Sequence, residues 1–231
     1  RIAKNQSVVP VTTHKLGPVN SVLLAKDNIK NDEEVIVNYC DFTMEWDYRK
    51  FLDFMHQNGA DGGIPSFRGF HPASLGTTKY AYLKTNGSLQ VSKIMEKECF
   101  SDDKTSDFAA TGTHYFRTGA LMKKYFSAAV QEDLSINGEF YASLPFNIMI
   151  RDDLKVFAFE VKKFICFGTP HDLNQYNAWS YHFSHLANGG FTSNADLSGV
   201  PMKENINMLL GQHEYWRDYF RKNPHHPYGK G

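Results

Sequence analysis

The chain has 231 residues, of which 42% are hydrophobic and 22% are charged, and its 25 basic and 25 acidic residues give a formal net charge of zero. This length and composition suffice for one sizeable hydrophobic core with a small annex. A neutral chain without a basic excess is not expected to bind nucleic acid, and without an apolar run of membrane-spanning length it is not expected to insert in a membrane.

The cysteines are three in number and far apart, at positions 40, 99 and 166. Neither a disulfide framework nor a zinc ribbon fits this spacing. We therefore expect reduced thiols and a cytoplasmic location.

Strand and helix patterns alternate in the first part of the chain. Residues 7–13 ("SVVPVTT") predict a strand, and Pro18 suits the first position of a helix. The β-branched run "VIVNYCD" predicts a strand that ends in an acidic residue, Asp41. Asp47 then predicts the N-cap of the following helix.

The pattern continues through the middle of the chain. The segment "NG" at Asn86–Gly87 predicts a β-hairpin, because this pair favours the tight turns that join antiparallel strands. The other predicted elements are strands at 63–67, 113–116 and 155–161, a helix over 118–130 and a helix near Pro145.

This alternation predicts an α/β fold with a mixed, mostly parallel, Rossmann-like sheet flanked by helices, in which the hairpin adds an antiparallel element. We assign residues 1–182 to this domain. Residues 183–231 are interpreted as a linker rich in Gly, Asn and Ser, followed by a C-terminal helical extension.

The acidic residue after the strand, Asp41, is a candidate metal ligand. In open α/β sheets, ligands collect beyond the carboxyl ends of the strands, and Mg²⁺ typically takes only one or two protein carboxylates. The alternative is a turn aspartate that accepts hydrogen bonds from loop amides, and spacing alone favours that alternative by about two to one.

Five stretches resemble, in the same order, the sugar-nucleotidyltransferase family, in the branch associated with capsular and surface-polysaccharide biosynthesis. They span roughly residues 10 to 180. They read "GPVNSVLLAKDNIKNDEEVIVNYCDFTMEWD", "IMEK", "AATGTHYF", "NGEFYASLPFN" and "FGTPHDL".

The resemblance implies a GT-A-like nucleotidyltransferase fold and a magnesium-dependent reaction. A sugar 1-phosphate, or a related phosphate ester, would be joined to a nucleoside triphosphate, and pyrophosphate would be released. The implied partners are these two substrates, with a second copy of the chain in a homo-oligomer as a further option.

The resemblance also implies roles for particular residues. Asp41 would hold Mg²⁺, and Lys97 would lie beside the acceptor phosphate, so these two are the catalytic candidates. The substrate-binding candidates are Gly17 and Pro18 at the nucleotide base, Glu96 at the acceptor hydroxyls, and Gly112, Glu139 and Tyr141 around the acceptor pocket.

Four of these residues also have a structural interpretation. Glu96 and Lys97 could be a solvated ion pair at a strand end. Gly112 could serve only backbone geometry, and Glu139 could be an acid in the first turn of a helix.

The chain also departs from the family pattern. Family members begin with a strand and a loop of the type AG-x-G-x-R, whereas "RIAKNQSVVP" resembles sequence that follows this loop. Either the chain is a fragment or the missing part is supplied in another way, and we expect weak triphosphate binding and an exposed sheet edge. Cys166 also stands where many relatives carry a second metal-binding Asp, and a thiol is a poor ligand for Mg²⁺.

Two other functions compete with this one. A glycosyltransferase of related fold would use a nucleotide sugar as substrate, but that class usually carries a D-x-D element that "CDFTMEWD" lacks. The other is a non-catalytic domain that binds a nucleotide or sugar or acts in assembly. A weak metal site at His182 and His185, three residues apart, is also less favoured than surface histidines.

Overall fold

The computed structural model describes residues 7–69, 71, 80–174, 176–177 and 180. The chain divides into two compact units, residues 1–165 and residues 166–231. The predicted boundary at 182/183, the predicted C-terminal linker and helix, and the histidine pair lie outside the described residues.

Within the described residues, the first unit carries four α-helices and most of the strands. The helices are α1 (Pro18–Leu24), α2 (Tyr48–Gln57), α3 (Gly119–Gln131) and α4 (Pro145–Arg151), with a short 3-10 helix at Lys26–Asn28. The strands are β1 (Val35–Asn38), β2 (Phe42–Glu45), β3 (Gly62–Phe67), β4 (Ala81–Thr85), β5 (Val91–Glu96), β6 (Phe108–Ala110), β7 (Thr113–Phe116), β8 (Val156–Glu160) and β9 (Lys163–Cys166).

Seven of these strands form one sheet in the order β1-β7-β3-β6-β4-β5, with β8 paired to β3, and β2 pairs with β9 in a small second sheet. In the large sheet the described pairings are antiparallel except for that of β3 with β8. The α/β class is confirmed, but the prediction of a mostly parallel sheet is wrong.

The physical reason is the position of β7. Val35 of β1 and Gly62 of β3 both lie opposite Phe116, one on each side of β7. Strands β1 and β3 therefore run in the same direction but are separated by a strand that comes later in the chain and runs the other way. Local alternation of strand and helix predicts element order, and it carries no information about such an insertion.

Hydrophobic side chains cover both faces of this sheet. Successive residues of a strand point to opposite faces, so Phe116 joins the larger core and Tyr115 the smaller one. The larger core packs α1, α3 and α4 against the sheet through Val19, Phe126 and Phe146, among others. The smaller core packs α2 on the opposite face.

A buried carboxylate, Asp61, ties three strands together at the start of β3. Its Oδ2 accepts a hydrogen bond from the Lys155 N–H at 2.9 Å, and its Oδ1 lies 2.5 Å from Nη2 of Arg117. Its backbone carbonyl accepts from the Arg117 N–H. These contacts fix where β3, β7 and β8 meet.

Most of the predicted elements are confirmed. Pro18 is the first residue of α1, and Asp47 caps α2 by accepting from Arg49 and Lys50 N–H at 3.1 Å. The hairpin of β4 and β5 is present, although a five-residue loop, 86–90, joins its strands instead of a two-residue turn. The strand predicted over residues 7–13 is wrong, because these residues are irregular. Val8 there is 93% exposed, so no burial stabilises an extended pairing.

The described part of the second unit begins at the end of β9. Thr169 and Asp172 bond reciprocally where a helical segment starts, since Thr169 Oγ1 donates to the Asp172 carboxylate at 2.6 Å and accepts from the Asp172 N–H at 3.1 Å. No helix within the described ranges is long and apolar enough to cross a membrane.

Candidate functional site

The end of β1 leads through Tyr39 to the predicted metal ligand. Asp41 lies three residues after β1 and directly before β2, and its side chain is exposed. Among the residues that the structure describes, no amide or side chain donates a hydrogen bond to its carboxylate. It therefore differs from Asp47, whose carboxylate is occupied by helix amides, and the turn interpretation of Asp41 is disfavoured.

Tyr39 connects this end of β1 with the other predicted residues. Its backbone N–H donates to the Gly112 carbonyl at 3.1 Å, and its hydroxyl accepts from the Ala142 N–H at 3.3 Å. Burial raises the pKa of the Tyr39 phenol above its ordinary value, and the negative charges of Glu96, Tyr141 and Asp41 add to the increase. The phenol is therefore a neutral group at ordinary pH.

Gly112, between β6 and β7, makes room for the Tyr39 ring. Its φ angle is +98°, and a Cβ there would lie 2.9 Å from Cδ2 of Tyr39 and 3.1 Å from Phe42. Both the backbone conformation and the close ring contact require glycine. The Tyr39 ring also contacts His114, whose burial lowers the pKa of the imidazole to about 3, so that it adds no positive charge.

Glu96, the last residue of β5, is half-buried and hydrogen-bonded. Its Oε2 accepts from the Ser143 hydroxyl at 2.5 Å. Burial raises the pKa of this carboxyl group, although the Ser143 hydrogen bond and the Lys97 charge oppose the increase. The interpretation of Glu96 as a fully solvated strand-end charge is therefore disfavoured.

Lys97, Tyr141 and Glu139 form a chain of polar contacts. The Lys97 ammonium donates to the Tyr141 hydroxyl at 2.6 Å, and this hydroxyl donates to Oε2 of Glu139 at 2.5 Å. The hydrogen bond to Tyr141 raises the pKa of Lys97, so the side chain is a cation at neutral pH. Lys97 also has a left-handed backbone, with φ at +60°.

Glu139 does not lie in the first turn of a helix, which excludes its predicted structural alternative. It follows a tight turn at Asn137–Gly138, both with positive φ, where Ile136 and Glu139 exchange two backbone hydrogen bonds of 3.0 Å. This turn is typical of a two-residue hairpin. It places Glu139 and Tyr141 on the same side of the chain, facing Lys97.

The predicted nucleotide turn, Gly17 and Pro18, packs against the same segment. A Cβ on Gly17 would lie 2.7 Å from the backbone nitrogen of Phe140, and the Leu16 carbonyl accepts from that N–H at 2.9 Å. The need for glycine is thus explained within the protein. Contact of Gly17 and Pro18 with a nucleotide base stays a prediction.

Sequence reasoning missed three residues that support this cluster, which are Tyr39, Ser143 and Asn147. The Asn147 side chain accepts from the Ile94 N–H and donates to the Ile94 carbonyl, each at 2.9 Å. The position of Tyr39, two residues before Asp41, was the one signal available for it. Ser143 and Asn147 become visible only when their segment packs on β5.

The oxygen ligands present suit a hard divalent cation only in part. Asp41 offers one exposed carboxylate, and Mg²⁺ commonly completes its shell with water and substrate phosphates. No group of three or more acidic, histidine or cysteine side chains converges within the described residues. The Cys166 thiol lies close to Asp172, with the sulfur 3.9 Å from Oδ2, and a thiol sulfur is a poor ligand for Mg²⁺.

Together these side chains offer two exposed carboxylates (Asp41 and Glu139), one half-buried carboxyl (Glu96), one cation (Lys97) and two phenols (Tyr39 and Tyr141). Such a set can hold a phosphate group and the hydroxyls of a small polar ligand. An α/β domain with a mixed sheet and acidic and basic groups beyond a strand end is a class that includes nucleotide-handling transferases.

A family model described as nucleotidyl transferase matches residues 3–218, which is most of the chain. The chain therefore belongs to the nucleotidyl transferase family, in agreement with the resemblance to sugar nucleotidyltransferases. No curated protein matches it.

A solved structure, the nucleoside-diphosphate-sugar pyrophosphorylase from Vibrio cholerae RC9, has a similar fold. The TM-score is 0.54 and the sequence identity 20%, over 72% of this chain and 66% of that chain. The chain thus spans just under two thirds of the length of this relative.

Proposed function

We propose that this protein is a magnesium-dependent nucleotidyltransferase of the cytoplasm that joins a sugar 1-phosphate, or a related phosphate ester, to a nucleoside triphosphate. A phosphate oxygen of the acceptor forms a bond to the α-phosphorus, the bond from that phosphorus to the outer phosphates breaks, and pyrophosphate leaves. The activated sugar would supply surface-polysaccharide synthesis.

The observation that carries the proposal is that four predicted site residues lie close to Tyr39, and that Asp41 follows Tyr39 by two residues. The four are Glu96, Lys97, Glu139 and Tyr141. Transfer of a nucleotidyl group depends on positioning and on charge neutralisation more than on covalent catalysis. Lys97 would orient the acceptor phosphate as a point charge, and Glu96 would accept hydrogen bonds from acceptor hydroxyls.

Asp41 is the proposed metal ligand. When bound, Mg²⁺ supplies positive charge against the triphosphate. The exposed carboxylate of Asp41 is free of competing amide donors among the described residues, which favours this role over a turn function.

The test is pyrophosphate release with each of the four nucleoside triphosphates against a panel of sugar and aminoalcohol phosphates. We expect turnover with one pair, and Asp41→Asn should lower kcat by about a thousandfold, since charge stabilisation by a metal is worth several kcal/mol. The melting temperature should stay that of the wild type, because the side chain is exposed.

Asp47→Asn is the matched control. It makes the same chemical change six residues later, where Asn caps a helix about as well as Asp, so both stability and turnover should be unchanged. Wild-type turnover in Asp41→Asn would exclude the metal assignment. No release with any pair, together with no nucleotide binding by calorimetry at millimolar concentration, would instead indicate a non-catalytic domain.

A further inference from the structure

The Tyr39 hydroxyl is a hydrogen-bond donor whose acceptor is missing from the described protein. Its oxygen accepts from the Ala142 N–H at 3.3 Å, which leaves the O–H to donate. Among the described residues, this hydroxyl takes part in no hydrogen bond as a donor. A half-buried hydroxyl that does not donate loses the free energy of one hydrogen bond. A bound ligand with an acceptor oxygen would restore that hydrogen bond.

The surroundings of this hydroxyl indicate what kind of acceptor fits. The hydroxyl accepts from Ala142, which lies between Tyr141 and Ser143 in the chain, and these two residues contact Lys97 and Glu96. The nearby carboxyl of Glu96 is occupied by Ser143, and the Tyr141 hydroxyl by Lys97 and Glu139. Lys97 contacts Tyr141, the residue next to the amide that the Tyr39 hydroxyl accepts from, so an anionic oxygen bound by Lys97 suits this hydroxyl as an acceptor.

We propose that the Tyr39 hydroxyl donates a hydrogen bond to an oxygen of the acceptor phosphate bound by Lys97, and that Tyr39 is therefore a substrate-binding residue. This inference rests on the proposed function. A phenol donor on an anionic oxygen makes a short, strong bond, and a phosphate oxygen beside a lysine is such an acceptor.

The ring and the hydroxyl of Tyr39 have separable tasks. The ring fills the space that Gly112 leaves open and contacts His114 at 5.8 Å between centroids. Tyr39→Phe keeps the ring and removes only the oxygen, so it reports on the hydroxyl.

The experiment measures the binding of inorganic phosphate to the wild type and to Tyr39→Phe by calorimetry, alongside KM for the acceptor and for the nucleotide. We expect phosphate affinity to fall about tenfold or more and KM for the acceptor phosphate to rise by a similar factor. KM for the nucleotide and the melting temperature should change little.

Tyr125→Phe is the control. Tyr125 lies on α3, outside the cluster, and its hydroxyl donates to Asp152 at 3.0 Å. This variant should therefore lose stability and keep its phosphate affinity. If Tyr39→Phe behaves in that same way, the hydroxyl only supports the Ala142 amide and the inference is overturned.

The two proposals fail separately. Turnover by the wild type with unchanged phosphate affinity in Tyr39→Phe overturns the role of Tyr39 alone, as does a wild type that binds no phosphate. Phosphate binding that depends on Tyr39, in a protein that releases no pyrophosphate with any pair, overturns the proposed reaction alone.

Discussion

At the scale of single residues, Glu96 links the proposed site to the stability of the fold. Burial raises the pKa of its carboxyl group, so the folded state favours the protonated form more than the unfolded state does. The resulting stability is fully present below pH 4.5, the ordinary value for glutamate, and is lost as the pH rises through the folded-state pKa.

Glu96→Gln should remove this decrease of stability at higher pH. The amide stays neutral and its oxygen can still accept from Ser143, so the variant should be more stable than the wild type at neutral pH and comparable to it at pH 4. Urea unfolding at several pH values measures the difference. A wild type that becomes more stable than the variant as the pH rises would contradict the expected sign.

For Glu132→Gln we expect the opposite pH dependence of stability. The hydrogen bond from Arg151 lowers the pKa of Glu132, so its contribution is present at neutral pH and is lost as the pH falls. Because the pair is exposed and screened by solvent, the variant should lose only a small amount of stability at neutral pH.

At the scale of secondary-structure elements, the Asn147 side chain forms the two hydrogen bonds that a neighbouring strand would form with Ile94 at the edge of the sheet. Strand β5 ends the sheet order, and its Ile94 N–H and carbonyl face away from β4. The Asn147 amide pairs with both, which satisfies the backbone and occupies an edge that another chain would otherwise meet. The strand that carries Glu96 is thereby fixed against α4.

Asn147→Ala should lower the free energy of unfolding by about 2 kcal/mol, because a partly buried N–H and carbonyl lose their partners. Urea unfolding with an unchanged m-value would measure this. Asn28→Ala, which removes one exposed side-chain bond to the Ala25 carbonyl, should change stability by less than about 0.5 kcal/mol. Equal losses in the two variants would show that β5 does not depend on Asn147.

At the scale of the whole molecule, Asp61 holds together strands that are far apart in sequence. Asp61→Ala should cost about 2 to 3 kcal/mol, since the Lys155 amide loses its acceptor and the half-exposed Arg117 loses its partner. Thermal unfolding measures the effect. Asp53→Ala, an exposed site on α2, is the control and should remain within about 0.5 kcal/mol of the wild type.

Local chemistry predicted the elements better than their arrangement. Pro18, Asp47 and Asn86–Gly87 act within a few residues of themselves, so their helix start, cap and turn could be predicted. The position of β7 between β1 and β3 depends on pairings across some fifty to eighty residues, for which a single sequence holds no signal.

The candidate site shows the same division. Lys97, Glu139 and Tyr141 were predicted from ordered motifs, and the structure brings their side chains into one chain of contacts. Ser143 has no distinctive sequence context, and its importance to Glu96 arises only from packing. Tyr39 was hidden because an aromatic residue at the end of a buried strand is usually interpreted as core.

The left-handed backbone of Lys97 has a consequence for how the ammonium is aimed. A lysine rarely adopts a left-handed backbone conformation, because this conformation places Cβ too near the carbonyl oxygen. An excised peptide of this hairpin would relax to an extended form and turn the positive group elsewhere. The assembled protein therefore fixes the direction of that charge, which an isolated peptide of the same segment would not do.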